Sequence, residues 1–245
     1  MKLLFLGTGA ADSRFQEIVG FSDRNKRRCS SLLIDGKILI DCGPFTLSAL
    51  RELGVDLGDI TDVIITHLHS DHCDVESLEE LRAHKVAVWA REGSDCLERF
   101  SYTPMSFYRE NIIGGYSVFS LEANHAANAQ HLYIEKDGKS LFYGLDGAWF
   151  TNGETEFLKG KKLSAAVLDA TVGDYIGDWR LGEHNSIPMI RLMVPSMRVL
   201  KILTDDSQVI LSHMAVSLHK SASETEKILS ADGFIMAYDS MEKEI

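Results

Sequence analysis

The sequence contains no long hydrophobic run and little cysteine. No segment approaches the roughly 20 uninterrupted apolar residues of a membrane-spanning helix. The apolar stretch near the N-terminus is too short for the hydrophobic region of a signal peptide and is predicted to be a strand. The four cysteines lie far apart and form no Cys-x-x-Cys pair, so neither a disulfide framework nor a structural zinc ribbon is predicted. These absences predict a cytoplasmic protein with reduced thiols.

Positive charge is also scarce. The chain has 25 Lys and Arg against 36 Asp and Glu, a formal net charge of −11. Proteins that bind nucleic acid without sequence preference need a cationic surface to displace counterions, so the composition argues against nucleic acid as a partner. One exception is the run Arg24-Asn25-Lys26-Arg27-Arg28. It is either a solvated loop or a rim that faces a substrate phosphate, in which case Arg27 and Arg28 would bind the substrate.

The hydrophobic pattern predicts one α/β (α+β) domain that spans residues 1–245. Two β-rich stretches, each followed by helices, divide the chain into comparable halves without an internal repeat or a linker. Strands are predicted at 2–6, 31–34, 37–40, 63–65, 86–89, 116–121, 132–135, 140–145, 165–168, 199–203, 209–211 and 234–238. Helices are predicted at 45–53, 154–158, 187–194 and 224–229, and after His72 with Val75, Leu78 and Leu81 as the apolar face. Two sheets packed face to face with helices outside would form a four-layer αββα sandwich, with ligands bound by the loops at one edge. Residues 93–116 are either a lid over a pocket or a packed excursion.

The segment Ile64-Ile65-Thr66-His67-Leu68-His69-Ser70-Asp71-His72 contains the strongest functional signal. Four potential metal ligands occur within six residues, directly after an apolar run. Alternate side chains of an extended segment share a face, so His67 and His69 should point to one side. Asp71 and His72 follow where the chain turns into a helix, and they can point to a second position nearby. Two imidazoles at one point, and a carboxylate with an imidazole at another, indicate a two-metal hydrolytic centre.

Three isolated residues downstream could complete such a centre. His125, Asp146 and His213 each follow a predicted strand, where the chain runs out into a loop beside a small residue. Each of them alone could be an ordinary hydrogen-bonded loop residue. Together with the four ligands of the motif, they make a candidate set of seven.

The order of these residues, preceded by Asp41, resembles the metallo-β-lactamase superfamily of binuclear hydrolases. The resemblance covers nearly the whole chain and implies a four-layer αββα sandwich of the metallo-β-lactamase type. It also implies two ion sites that share one carboxylate: His67, His69 and His125 at the first, Asp71, His72 and His213 at the second, and Asp146 as the bridge. Asp41 would accept the N–H of a ligand imidazole and fix its tautomer.

Further segments resemble two branches of that superfamily that cleave phosphodiesters. The opening Phe5-Leu6-Gly7-Thr8-Gly9-Ala10, together with Leu168-Asp169-Ala170-Thr171 and Gly182-Glu183-His184-Asn185-Ser186, is similar to ribonuclease Z and to the phosphonate-pathway cyclic phosphodiesterases that open phosphoribosyl 1,2-cyclic phosphate. Residues 232–242 and 27–31 resemble the cyclic phosphodiesterases more closely. Residues 12–28 contain no cysteine, unlike the structural zinc loop of that branch, and no insertion resembles the tRNA-binding arm of ribonuclease Z.

The chain is therefore predicted to be a binuclear metal-dependent hydrolase, and most closely a phosphodiesterase that opens a small cyclic or diester phosphate. A metal-bridging hydroxide would attack phosphorus, Asp71 would belong to the catalytic centre, and His184 would protonate the leaving group as general acid. Two divalent ions per chain are expected, with zinc first and manganese or iron as alternatives. The expected partner is a small phosphorylated substrate, and a homodimer is left open. The alternatives are a ribonuclease Z-like tRNA 3′ endonuclease, a thioester hydrolase of the glyoxalase II type, and a non-catalytic metal-stabilised protein that binds a metabolite.

Overall fold

A computed structural model describes residues 1–126 and 128–245. Most of its strands and helices occur in the predicted order. The strands, in chain order, are β1 Lys2–Gly7, β2 Ser31–Ile34, β3 Ile38–Ile40, β4 Asp62–Ile65, β5 Ala87–Arg91, β6 Thr103–Met105, β7 Glu110–Ile113, β8 Tyr116–Glu122, β9 Gln130–Lys136, β10 Lys139–Gly144, β11 Leu163–Asp169, β12 Leu203–Ser212, β13 Ile235–Met236 and β14 Glu242–Glu244. The α-helices are α1 Thr46–Glu52, α2 Val75–Ala83, α3 Asn152–Leu158, α4 Ile187–Val199 and α5 Ala222–Ala231. In the part of the chain that the structure describes, no helix is long and apolar enough to cross a membrane.

The strands form two seven-stranded mixed sheets, in the orders β14-β1-β2-β3-β4-β5-β6 and β13-β12-β11-β10-β9-β8-β7. Alternate side chains of each strand enter different layers, as the two-residue period of a strand requires. Leu32 and Ile34 of β2 pack between the sheets, whereas Leu33 packs against the outer helices. One apolar cluster joins the two sheets, a second packs the first sheet on α1 and α2, and a third packs the other sheet on α3, α4 and α5. These three clusters separate four layers, so the predicted αββα sandwich is confirmed.

Three parts of the predicted secondary structure are wrong. The predicted strand at 199–203 is wrong, because α4 continues to Val199 and only Leu203 belongs to a strand, as the first residue of β12. The predicted last strand at 234–238 shortens to Ile235–Met236, and a further strand, β14, pairs antiparallel with β1. Val75 is 39% exposed, so the buried face of α2 depends on Leu78 and Leu81. Residues 93–116 are a packed excursion, since β6 and β7 extend one edge of each sheet.

The ends of the strands explain why the predicted ligands can meet. β3, β4 and β5 run parallel in one sheet, and β10, β11 and β12 run parallel in the other. Carboxyl ends of parallel strands lie at one edge of a sheet, and ligands of open α/β sheets bind there. The loops after β3, β4, β8, β10, β11 and β12 bear the predicted site residues from Asp41 to His213.

The basic run at residues 24–28 is built into the fold and does not form a substrate rim. Arg27 is 5% exposed, and its Nη1 donates to Thr8 Oγ1 at 2.6 Å and to the carbonyl oxygen of Ala237 at 2.9 Å. Burial lowers the pKa of Arg27 to about 10. Arg24 forms a two-bond ion pair with Glu226, with both distances 3.1 Å. Arg27 and Arg28 do not line the cavity that contains the predicted ligands, so their proposed role in substrate binding is corrected.

Arg28 is the most buried member of the run. It is 2% exposed, its Nη2 donates to Glu52 Oε2 at 2.9 Å, and its Nη1 lies 3.6 Å from Asp239 Oδ2. Its guanidinium carbon lies 4.1 Å from the centroid of the Phe21 ring. The side chain therefore ties the N-terminal loop both to α1 and to the segment before β14.

Replacing Arg28 by Ala is expected to lower the free energy of unfolding by about 3 kcal/mol, because Asp239 would be left buried without this partner. The matched control is Arg24→Ala, which breaks a half-exposed pair and should cost about 1 kcal/mol or less. Urea denaturation of the three proteins measures both values. If Arg28→Ala costs no more than Arg24→Ala, the buried pair does not stabilise the fold.

Candidate metal centre

Three of the predicted ligands form a first group at the edge of the sheets. His67 and His69 lie in the loop after β4, and His125 lies in the loop after β8. Each offers a ring nitrogen within 4.8 Å of those of the other two. His69 Nδ1 faces His125 Nε2 at 3.2 Å. His67 is buried and His69 is exposed, so the group reaches from the protein interior to the surface.

A second group contains Asp71, His72 and His213, whose ligand atoms also lie within 4.8 Å of one another. His72 Nε2 is 3.2 Å from His213 Nε2 and 3.4 Å from Asp71 Oδ2. All three residues are at least 96% buried. The side chains of the motif therefore point to two neighbouring positions, as its spacing predicts.

Asp146 lies between the two groups. Its Oδ2 is 2.8 Å from His72 Nε2 and 3.0 Å from His213 Nε2. Its Oδ1 is 3.5 Å from His125 Nε2 and 4.0 Å from His67 Nε2. Although burial alone would raise its pKa, the surrounding imidazoles, His213 foremost, hold the pKa of this carboxyl well below its usual range. One carboxylate thus offers one oxygen to each group.

The chemistry of these donors fits divalent cations. Within residues 1–126 and 128–245, neither His67 Nε2 nor Asp146 Oδ2 has a well-directed hydrogen bond, although both atoms are buried. An unpaired polar atom in the interior is costly, and two pairs of imidazole nitrogens face each other at 3.2 Å. A cation between such atoms would satisfy their lone pairs, and imidazole with carboxylate is a donor set of zinc, manganese and iron.

Three of these residues have left-handed backbone conformations. The φ angles are 61° at Asp41, 57° at Asp146 and 57° at His213. Such angles cost energy for residues other than glycine and occur most often at functional sites. Gly43 allows a related close approach, because a Cβ there would collide with the carbonyl oxygen of Asp71. The backbone just after these strands therefore turns and packs closely, which brings the ligands together.

Asp41 is placed where the resemblance implied. It is fully buried, and its Oδ2 lies 2.7 Å from His72 Nδ1. Its Oδ1 accepts hydrogen bonds from the Thr66 backbone N–H at 2.7 Å and from Thr66 Oγ1 at 2.9 Å. An Nδ1–H that donates to Asp41 leaves His72 Nε2 with its lone pair toward Asp146 and His213. This is the tautomer that a metal ligand needs.

Replacing Asp41 by Asn is expected to weaken metal binding by roughly 10- to 100-fold. In the variant, the Thr66 backbone N–H would keep its hydrogen bond to the oxygen of the introduced side-chain amide. The amide NH₂ would then face His72 Nδ1 and favour the His72 tautomer that is protonated at Nε2. Competition titration against a chromophoric chelator measures the affinity. Asp62→Asn is the control, because this buried carboxylate accepts from Thr61 and Trp89, away from the histidines. Equal affinities in the two variants would contradict this role of Asp41.

His184, the predicted general acid, lies beside the two groups. Its ring centroid is 4.9 Å from that of His125 and 5.5 Å from that of His213, the latter in a stacked arrangement. Its side chain is 15% exposed, and its Nδ1 lies 3.1 Å from Asp169 Oδ2. Burial lowers the pKa of His184, but Asp169 outweighs burial and raises it above the ordinary value. Asp169 therefore both orients the ring and favours its protonation relative to a free imidazole.

Asp169, which the sequence analysis did not assign, contacts several residues of the candidate site. It is fully buried at the end of β11, where it accepts hydrogen bonds from the backbone N–H groups of Asp146 at 3.1 Å and Asn185 at 3.0 Å. Its Oδ2 also lies 3.2 Å from His213 Nδ1. Its position in the sequence could have identified it, because it ends β11, and β11 lies between the two strands that Asp146 and His213 follow. Asp169 thus orients residues of three loops.

Two asparagines, also unassigned from the sequence, hold the loop after Asp146. The Asn185 side-chain amide donates to the Gly147 carbonyl oxygen at 2.9 Å and accepts from the Trp149 N–H at 2.9 Å. Asn124 Nδ2 donates to the Ala148 carbonyl oxygen at 2.8 Å. Asn124 and Asn185 directly follow or precede the predicted site residues in the chain. They therefore couple the positions of His125 and His184 to that of Asp146.

The two groups open into a cavity of about 230 Å³. Five of the seven predicted ligands and His184 line it, and the remaining wall comes from the loops after β1, β11 and β12: Ala10, Ala11, Asp12, Thr171, Trp179, Arg180, Glu183 and Ala215. The cavity is large enough for a small phosphate ester, with the imidazoles and carboxylates at one end of it.

Comparison with known proteins places this geometry in a fold class. The family model described as "Anti-Pycsar protein Apyc1" matches residues 1–90. Ribonuclease Z of Salinibacter ruber is 40% identical over 52 residues, which is 20% of this chain and 16% of that protein. The Anti-Pycsar protein Apyc1 of Paenibacillus xerothermodurans is 35% identical over 81 residues, 33% of this chain and 28% of that protein. The matched part spans less than a third of the length of these relatives.

Solved structures match over the whole chain. A diphosphatase of the PhnP family has a TM-score of 0.76 at 18% identity, covering 100% of this chain and 96% of that one. The metallo-β-lactamase fold protein YhfI of Bacillus subtilis has a TM-score of 0.76 at 14% identity, covering 100% and 99%. Zn²⁺-bound PqqB of Methylobacterium extorquens has a TM-score of 0.73 at 18% identity, covering 100% of both chains. The chain therefore has the metallo-β-lactamase fold, as its motifs predicted, and the loops at one edge of its sheets contain a His/Asp cluster suited to metal ions.

Proposed function

We propose that the protein is a binuclear metal-dependent phosphodiesterase that hydrolyses small cyclic or diester phosphates, with His184 as the general acid. The observation that supports this most directly is the position of His184 on the same cavity as the ligand groups, fixed by Asp169 at 3.1 Å. A histidine held by a carboxylate beside a metal centre suits a reaction whose leaving group needs a proton. The names of the similar proteins, which include a ribonuclease and a diphosphatase, agree with phosphorus chemistry.

The seven residues would hold two ions, with His67, His69 and His125 at one, Asp71, His72 and His213 at the other, and Asp146 shared. When bound, such a pair of divalent cations lowers the pKa of water and offsets negative charge on phosphoryl oxygens. Zinc is the first candidate and manganese the second.

The residues of the chain supply orientation and the proton. Asp169 accepts from His184 Nδ1, so the second ring nitrogen, Nε2, is the one that would donate to the leaving oxygen. Asp169 raises the pKa of His184 above its ordinary value, and this direction favours the protonated form that a general acid requires. General acid catalysis of this kind is needed most for basic leaving groups such as a ribose alkoxide.

The alternatives differ in what they require. A tRNA endonuclease would need cationic surface, but the chain has a net charge of −11 and Arg27 and Arg28 are buried. The leaving group of a thioester is a thiolate, which departs without protonation, so a thioester hydrolase would not need His184 as a general acid. A non-catalytic binding protein would have no need of an Asp169–His184 pair beside the cavity that five of the seven predicted ligands line.

An activity screen of the metal-loaded protein tests the proposal. It should compare a cyclic phosphodiester, a bis-aryl phosphate, a pre-tRNA, an acyl-glutathione and a β-lactam, with a chelator-treated sample as the control. We expect the two small diesters to be cleaved faster than the other substrates by orders of magnitude. A preference for pre-tRNA, acyl-glutathione or β-lactam would replace the proposed substrate class, and no hydrolysis of any substrate would favour the binding protein.

A further inference from the structure

An exposed tryptophan stands on the wall of the metal cavity. Trp179 lines the cavity together with His69, His125 and His184, yet 79% of its surface is exposed. It begins the 3-10 helix Trp179–Gly182, on the same loop as His184. Exposed apolar residues that stand alone need no explanation. This one is a large planar ring beside the residues to which the reaction is assigned, where a ligand could cover it.

The indole ring is already supported on one face. The guanidinium carbon of Arg180 lies over the ring, 4.7 Å from its centroid. Arg180 is in turn held by Asp178, since its Nη1 donates to the two carboxylate oxygens at 3.0 Å and 2.9 Å. A cation stacked on an indole and fixed by a carboxylate limits the rotamers that the ring can adopt. The ring is thus prepared to receive a second planar group on its other face at a small cost in side-chain entropy.

We propose that Trp179 stacks against a planar ring in the organic part of the substrate and thereby selects diesters that contain such a ring, a nucleobase or an aryl group. This inference rests on the proposed function, because a phosphate bound at the ligand groups directs the organic part of the ester along the cavity wall. Stacking on an aromatic side chain stabilises a base without reading its identity. Tyr175 and Ile176, exposed on the same loop, do not line the cavity and are not included.

The test uses pairs of substrates that share their reacting groups and differ in the planar ring alone. One pair is adenosine 3′,5′-cyclic phosphate and methyl β-ribofuranoside 3′,5′-cyclic phosphate. A linear pair, 2,2,2-trifluoroethyl benzyl phosphate and 2,2,2-trifluoroethyl ethyl phosphate, shares the trifluoroethoxide leaving group. Steady-state kinetics are measured for the metal-loaded wild type, Trp179→Ala, Trp179→Phe and the control Ile176→Ala, and sedimentation velocity reports the oligomeric state of each.

For substrates with the additional ring, Trp179→Ala should raise KM by roughly 10- to 100-fold, as base–aromatic stacking predicts, while kcat changes little. The ring-free partner substrates should change less than about twofold in kcat/KM, within the scatter of a surface substitution. Trp179→Phe should retain part of the preference, and Ile176→Ala should behave as wild type.

Equal losses for both members of a pair, or no loss for either, would overturn the stacking role and leave the phosphodiesterase proposal intact. A dimer that dissociates in Trp179→Ala would also overturn it, because the ring would then be covered by a second copy of the chain. A wild type that cleaves no diester would instead overturn the proposed function and this inference with it.

Discussion

His184→Ala should slow the release of a ribose-type alkoxide by roughly 10²- to 10⁴-fold, the range for loss of a general acid. A nitrophenolate leaves without a proton, so hydrolysis of a nitrophenyl diester should be affected far less. The physical basis is the Asp169–His184 pair, which orients the imidazole at the cavity and raises its pKa above the ordinary value. Steady-state kinetics on diesters with leaving groups of graded pKa, analysed as a dependence of log kcat on that pKa, measure the effect.

Two variants control this experiment. Asp169→Asn should show the same dependence on the leaving group, because the proton donor would lose the carboxylate that orients it. His84→Ala removes a histidine that is exposed just after α2 and should change neither substrate. Equal losses for good and poor leaving groups would mean that His184 only positions the substrate. Loss of a metal ion in His184→Ala would mean that His184 belongs among the ligands.

Asp146→Ala should abolish stable binding at both ion sites. One oxygen of this carboxylate faces His72 and His213, and the other faces His125 and His67, so a single deletion removes a donor from each group. Elemental analysis should find about two ions per chain in the loaded wild type, as a two-metal hydrolase requires, and less than one in the variant. Diester hydrolysis should fall to the level of the chelator-treated protein.

Cys96→Ser is the control for metal content, since the Cys96 thiol is exposed and belongs to none of the ligand groups. It should bind metal as the wild type does. A loaded wild type with one ion per chain would contradict the binuclear proposal. An Asp146→Ala protein that keeps one tightly bound ion would show that the carboxylate serves a single site.

Local spacing in the sequence determined the central feature of the protein. The alternation of a strand places His67 and His69 on one side, and the turn into α2 directs Asp71 and His72 elsewhere, with no need for distant contacts. Hydrophobic periodicity likewise sufficed for most of the strands and for the four layers, because burial of alternate faces is a local requirement. His125, Asp146 and His213 were identifiable since each follows a strand, although their convergence needed the resemblance to a known family.

Only the tertiary structure decided features that depend on partners far away in the chain. A run of cations predicts exposure, but Arg28 is buried because Glu52 and Asp239 come to it from two other segments. Strand β14 exists because β1 offers it an edge, and its own sequence is too polar to predict a strand. Asp169 became recognisable only when the parallel order of β10, β11 and β12 placed its carboxylate beside Asp146, His184 and His213. Ligand spacing is a property of a short segment, whereas burial, pairing and orientation depend on what the remainder of the fold places around it.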